Sequence, residues 1–193
     1  MMGLLSTIRG KRDGPVIGST DVTPIAAKSK KIVIQEWPRL LQQKPDLFKT
    51  VWMRSSNRST SIKKAFGISE TAPPESSPSF MALHDTIEAF FYNLVVKCEL
   101  DDETVRTKCE QLGRRHVDFI ARGFHSNYWD IFLVCMAEVI DETLNSYITE
   151  ENRRAEMLIA WQRVINNIVH HMRNGYNEHR KEQLQMKNGP NIP

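Results

Sequence analysis

Two histidines carry the most chemistry in this chain, because each falls on the apolar stripe of a helical pattern. In the first pattern Phe80, Leu83, Ile87, Phe91 and Leu94 recur at three- and four-residue steps, and at about 100° per residue His84 lies inside that stripe. In the second, Val105, Cys109 and Leu112 form the stripe and His116 continues it. A short acidic turn joins the two. A neutral imidazole is a good ligand for iron or zinc, and two of them on opposed helices could hold a metal from both sides. Taken alone, a histidine on an apolar face is more often a core residue satisfied by a hydrogen bond, so the surrounding pattern has to decide.

That pattern has a precedent. Phe80-x-x-x-His84, followed 32 residues beyond the histidine by the end of Leu112-Gly113-Arg114-Arg115-His116, resembles the E and F helices of a globin, over roughly Lys31 to Gly175. The resemblance implies haem b (iron protoporphyrin IX) held between those helices, with His116 as proximal ligand and His84 on the distal side. Its closest flavour is the six-coordinate, bis-histidyl, neuroglobin-like kind found among invertebrate globins, in which the distal histidine binds the iron itself. Phe66 would pack flat on the porphyrin, and Phe80, Ile87, Phe119, Phe124 and Tyr128 would complete the contacts. Arg115 would pair with a propionate, which arginine does well, or simply face solvent. Trp52, fourteen residues before Phe66, would point toward the distal side.

A bis-histidyl iron must release His84 before an external ligand can enter, which lowers apparent affinity. That suits redox chemistry, electron transfer or gas sensing better than bulk oxygen carriage, with O2, CO, NO or a redox protein as partner. A five-coordinate oxygen-binding globin is one alternative, and a haem-free helical interaction module on the same scaffold is another. One residue departs from the pattern. The position a turn after His84, where a small apolar residue is usual, is Glu88, and a carboxylate buried there without a partner would be costly. Either the helix is rotated so that Ile87 faces the haem, or Glu88 reaches solvent or basic groups at the pocket mouth. His125, in the corner before the G helix, could reach a haem propionate or simply lie in a surface loop, while His170, His171 and His179 lack the spacing of a zinc site.

The elements that must position these residues are all helical, in the order A-B-C-E-F-G-H with the D helix expected to be missing. Residues 1–24 read as a flexible basic extension, in which Met2-Gly3-Leu4-Leu5-Ser6-Thr7 fits a myristoylation pattern if the mature chain starts at Gly3, a route to membrane contact. A globin domain follows over 25–179, with Pro38 marking a break in the first helix. Asp46 precedes the second helix, and Gly67 closes the short third. Pro73 and Pro74 mark a loop, and Ser77-Pro78 is a good N-cap and first-turn pair for the E helix. Asp101 and Asp102 cap the F helix. Trp129 to Leu144 forms a long G helix, and the last helix carries Leu158, Trp161, Ile165, Ile168 and Met172 before Gly175 stops it. Residues 180–193 read as a disordered tail.

Composition bounds the rest. The 193 residues suit one domain with tails, and 40% apolar with 25% charged residues is ordinary for a globular chain. The net charge of +3 is spread out, which argues against a nucleic-acid footprint. No apolar run approaches the roughly 18 to 20 residues a membrane span needs. Met1 to Gly10 lacks the core and cleavage site of a signal peptide, so a cytoplasmic location is expected. The odd set Cys98, Cys109 and Cys135 reads as free thiols of a reducing compartment, with a Cys98–Cys109 redox bridge left as an alternative. No phosphate loop, nucleophile elbow, HExxH or paired CxxC motif occurs, so the chain is not expected to be an enzyme beyond what haem itself would do.

Overall fold

The computed structural model describes residues 24–69 and 71–187, and among these every regular element is helical. The proposed N-terminal extension and its acylation pattern lie outside the described residues, as do 188–193.

Three long helices and a shorter one enclose the core. Helix α1 (Ala27–Gln43) buries Val33, Trp37 and Leu40, one stripe at steps of four and three. It runs straight through Pro38 instead of breaking there, because Pro38 is exposed and the carbonyl it leaves unbonded can take water. Helix α2 (Leu47–Arg58) buries Leu47, Phe48, Val51, Trp52 and Ser55. Helix α7 (Tyr128–Tyr147) and helix α8 (Glu151–Lys187) supply Met136, Val139, Ile140 and Leu144, and Trp161, Val164, Ile165 and Ile168. Trp37 is the hub, its ring 5.9 Å from Phe48 and 6.0 Å from Trp161. Helix α1 packs on α8, α2 on α7, and α7 on α8.

The remaining elements form the side of the molecule where the histidines lie. Helix α3 (Thr60–Lys64) ends at Gly67, whose φ of 72° suits a helix terminus that only glycine adopts freely. The loop where a D helix would stand holds only the three-residue 3-10 turn Pro74–Ser76. The E helix comes in two pieces, α4 (Pro78–Met81) and α5 (Leu83–Tyr92), separated at Ala82. Ser77 caps α4 by accepting from the Phe80 amide, and at the other end the Trp52 indole N–H donates to the Phe80 carbonyl at 2.8 Å. That carbonyl belongs to a last turn, where helices leave acceptors unfilled, and the indole fills it. After α5 the chain widens into a π turn, Asn93–Lys97, and reverses through Glu99 and Leu100, both with positive φ (48° and 54°). Two such residues in a row are strained, and complete burial of Leu100 holds them in place.

Helix α6 (Asp102–His116) opens with Asp101 accepting from the Thr104 amide at 2.9 Å. It lies directly on α8, and two glycines allow this. A Cβ on Gly113 would stand 1.9 Å from the Met172 carbonyl oxygen, and one on Gly175 would stand 2.1 Å from that of Glu110. Gly175 is therefore not the stop expected of it. It is a crossing point, and α8 continues helical to Lys187, which also corrects the disordered tail over 180–187.

Candidate functional site

His116 is the last residue of α6, and its surroundings make it a donor in waiting. Its Nδ1 lies 2.8 Å from the Leu112 carbonyl oxygen. A carbonyl can only accept, so Nδ1 carries the proton and Nε2 keeps its lone pair. The rings of Phe124, Trp129 and Phe119 stand 5.0, 5.2 and 5.5 Å away, centroid to centroid. Burial among them holds the imidazole below its ordinary pKa; the Leu112 hydrogen bond acts the other way, and the neighbouring charge of Arg115 pushes further down. The result is a neutral imidazole with one free nitrogen, oriented by a backbone hydrogen bond, the arrangement a metal-binding histidine uses. Phe124 and Trp129 lean in turn on Tyr176 of α8, so the wall behind His116 reaches into the core.

A second cluster forms on the α2, α3 and α4 side. Trp52, Ile62, Ile68 and Phe80 are buried together, and Phe66, Leu83, Ile87, Tyr128 and Ile131 pack against them. Phe66 and Phe80 meet edge to face at 5.3 Å, with Trp52 4.8 Å from Phe80. Tyr128 joins the two groups, its ring also 5.8 Å from Phe124. Of the residues the sequence singles out, Phe66, Phe80, Ile87 and Tyr128 thus come together in one cluster, and Phe119 and Phe124 stand beside His116. Arg115 is exposed and joins neither.

On α5 the two options left open by Glu88 are separated. Ile87 packs into the cluster, with Leu83 one turn before it, while Glu88 is half-buried beside them. His84 is a step round the helix from Leu83, largely buried, with Nδ1 3.1 Å from the Asp85 carboxylate. Leu83 and Ile131 of this cluster and Trp129 beside His116 are further residues of the site that the resemblance does not single out. The Leu83–Ile87 spacing of four was the available signal.

Near Phe66 the surface opens into a 320 Å³ recess lined by Lys64, Ala65, Phe66, Gly67, Ser79 and Arg122. It places two cations beside the aromatic cluster. Elsewhere Arg114 is engaged by a bidentate pairing with Glu182, and Cys98, Cys109 and Cys135 are all free thiols. The Cys98–Cys109 bridge is thus not formed: burial pushes the Cys109 thiol up to about 12, and the Cys98 thiol donates to Asn93. Among the described residues no three of His, Cys, Asp and Glu are grouped to hold a metal by themselves. No described helix is long and apolar enough to cross a membrane.

A globin family model matches residues 50–172, well over half the chain and inclusive of both histidines and both clusters. The chain belongs to the globin family. It is also similar to globin-related protein glb-13 of Caenorhabditis elegans, at 37% identity over 76 residues. That alignment covers 39% of this chain and 25% of the relative, so the globin shares only about a quarter of the relative's length. Globins bind haem and small diatomic gases, and the residues present fit the group: a neutral histidine with a free nitrogen, opposed aromatic and aliphatic walls, and cations at the recess beside them. In this globin α1 is the A helix, α2 B, α3 C, α4 with α5 E, α6 F, α7 G and α8 H.

Proposed function

We propose that this globin holds haem b between α5 and α6 with His116 as its axial ligand, and that it offers the opposite face to a diatomic gas. The observation that carries this is the His116 imidazole, neutral and oriented by Leu112 with Nε2 unengaged. When bound, haem supplies a ferrous centre that takes up small gases or passes one electron. The chain's own residues do the rest. Leu112 fixes the ring plane of His116, and Phe119, Phe124 and Trp129 keep water from it. Phe66 and Phe80 supply flat apolar surface, and Arg122 at the recess beside Phe66 suits a propionate.

Bis-histidyl iron, with His84 in the sixth position and a redox or sensing role, is the reading that resemblance alone favours. It requires His84 to leave Asp85 and displace Leu83 from the cluster. Because α5 packs Leu83 and Ile87 there instead, the open arrangement is better supported, with gas binding or gas sensing as the role.

The test is haem uptake by the haem-free chain, followed by absorption. Wild type should bind one equivalent and form a ferrous carbon monoxide complex. His116→Gly should lose the axial signature and regain it when imidazole is added. Wild type that takes up no haem, or a His116→Gly chain indistinguishable from it, would overturn the reading and leave a haem-free helical interaction module.

A further inference from the structure

Resting on that reading, we propose that the gas-binding face offers no hydrogen-bond donor, so that the site accepts carbon monoxide and nitric oxide readily and holds dioxygen weakly. Dioxygen on a ferrous centre gathers negative charge on its outer atom and is retained by a donated hydrogen bond, whereas carbon monoxide stays close to apolar.

The Trp52 and Tyr128 donors close to this face are committed elsewhere, and His84 and Glu88 stand beside it. The Trp52 indole N–H, the strongest donor in the cluster, is held at 2.8 Å by the Phe80 carbonyl, and the ring is nearly buried between Phe66 and Phe80. The Tyr128 hydroxyl donates to the Gly123 carbonyl at 3.1 Å. His84 faces Asp85. Glu88, when ionised, has acceptors alone and would repel rather than hold the outer atom. What remains around the face is Phe66, Phe80, Leu83, Ile87 and Ile131, all apolar. The bond from Trp52 matters twice. It removes the donor, and it ties the indole to the last turn of α4, next to the Ala82 break after which Leu83 packs into the cluster.

The experiment compares gas kinetics on the haem-loaded chain. Leu83→Gln places a donor at the inward position of α5, and dioxygen dissociation should slow about tenfold, the equivalent of one hydrogen bond, with carbon monoxide dissociation nearly unchanged. Ile87→Gln serves the same purpose should Leu83→Gln not fold. Neither His84→Ala nor Tyr128→Phe, which removes only the hydroxyl, should speed dioxygen dissociation by a factor approaching ten. In the haem-free chain, the Trp52 indole proton should exchange slowly with solvent and become fast in Trp52-containing chains whose α4 is disrupted by Pro78→Gly. Dioxygen dissociation that speeds about tenfold in His84→Ala or Tyr128→Phe would overturn the proposal. So would split ferrous bands in wild type that His84→Ala abolishes. Failure of haem uptake or indifference to His116→Gly is a separate result, and it strikes the haem reading itself.

Discussion

His116 must stay neutral to bind a metal, and the fold enforces this by burying it. An unfolded imidazole titrates near pH 6.5, and burial sets the folded value of His116 lower; His170 and His171 shift the same way for the same reason. Above about pH 6.5 both states are neutral and the full stability is present. As the pH falls through that value the unfolded chain takes up protons first, so stability drops until the folded values are passed. Glu110, raised by its own burial, offsets part of this, and Asp46 and Glu182, held low by Lys44 and Arg114, matter only at more acidic pH. The urea midpoint of the haem-free chain should therefore fall between pH 7 and pH 5, and fall less in His116→Gln. A midpoint that rises on acidification would mean that His116 is charged in the fold. That His116 lies on an apolar helix face was legible from the sequence, since it continues the stripe of Val105, Cys109 and Leu112. Which residue of α5 turns inward was not. His84 and Leu83 are one step apart on the helix, and the break at Ala82 and the long-range bond from Trp52 to Phe80, 28 residues apart, that accompany the inward turn of Leu83 are invisible in a list of residues.

At the scale of elements, the crossing of α6 and α8 sets where His116 stands. Replacing glycine by alanine inside a helix normally gains about 1 kcal/mol in propensity. Here the added methyl would meet a backbone carbonyl at 1.9 Å from Gly113 or 2.1 Å from Gly175, and a backbone cannot swing aside as a side chain can. Overpacking of this kind costs about 3 kcal/mol or more, so the collision outweighs the propensity. Gly113→Ala and Gly175→Ala should each lower the denaturation midpoint clearly, and a rise in either would show that the helices lie further apart. The sequence offered Gly175 as a helix end because glycine favours both ends and close approaches, and only the facing partner distinguishes the two. The same limit applies to Pro38, whose exposure, invisible in a list of residues, let α1 continue.

For the whole molecule, helical periodicity was enough to give an all-helical chain, because each long helix carries a clear stripe, and the resemblance carried by His84 and His116 supplied the globin arrangement. It could not show that the two clusters are built differently. The main core spans α1, α2, α7 and α8, with Phe91 of α5, Leu94 of the π turn and Cys109 of α6. The smaller cluster rests on four buried side chains, with the half-exposed Phe66, Leu83 and Ile87 around them. Local stability follows buried contact, so the two should open separately when haem is absent. Amide exchange in the haem-free chain should be slow in α1, α2, α7 and α8, and fast in α3, α4 and the 3-10 turn Val117–Arg122. Helix α6 decides between two pictures. If haem alone secured the proximal side, α6 would exchange as fast as α4 until haem is added. Because its backbone is seated on α8 at Gly113 and Gly175, α6 should stay protected from Val105 to Gly113 in the haem-free chain, and only its end at His116 should gain protection on loading. An α6 that is labile throughout would mean that the glycine crossing forms with the haem rather than before it.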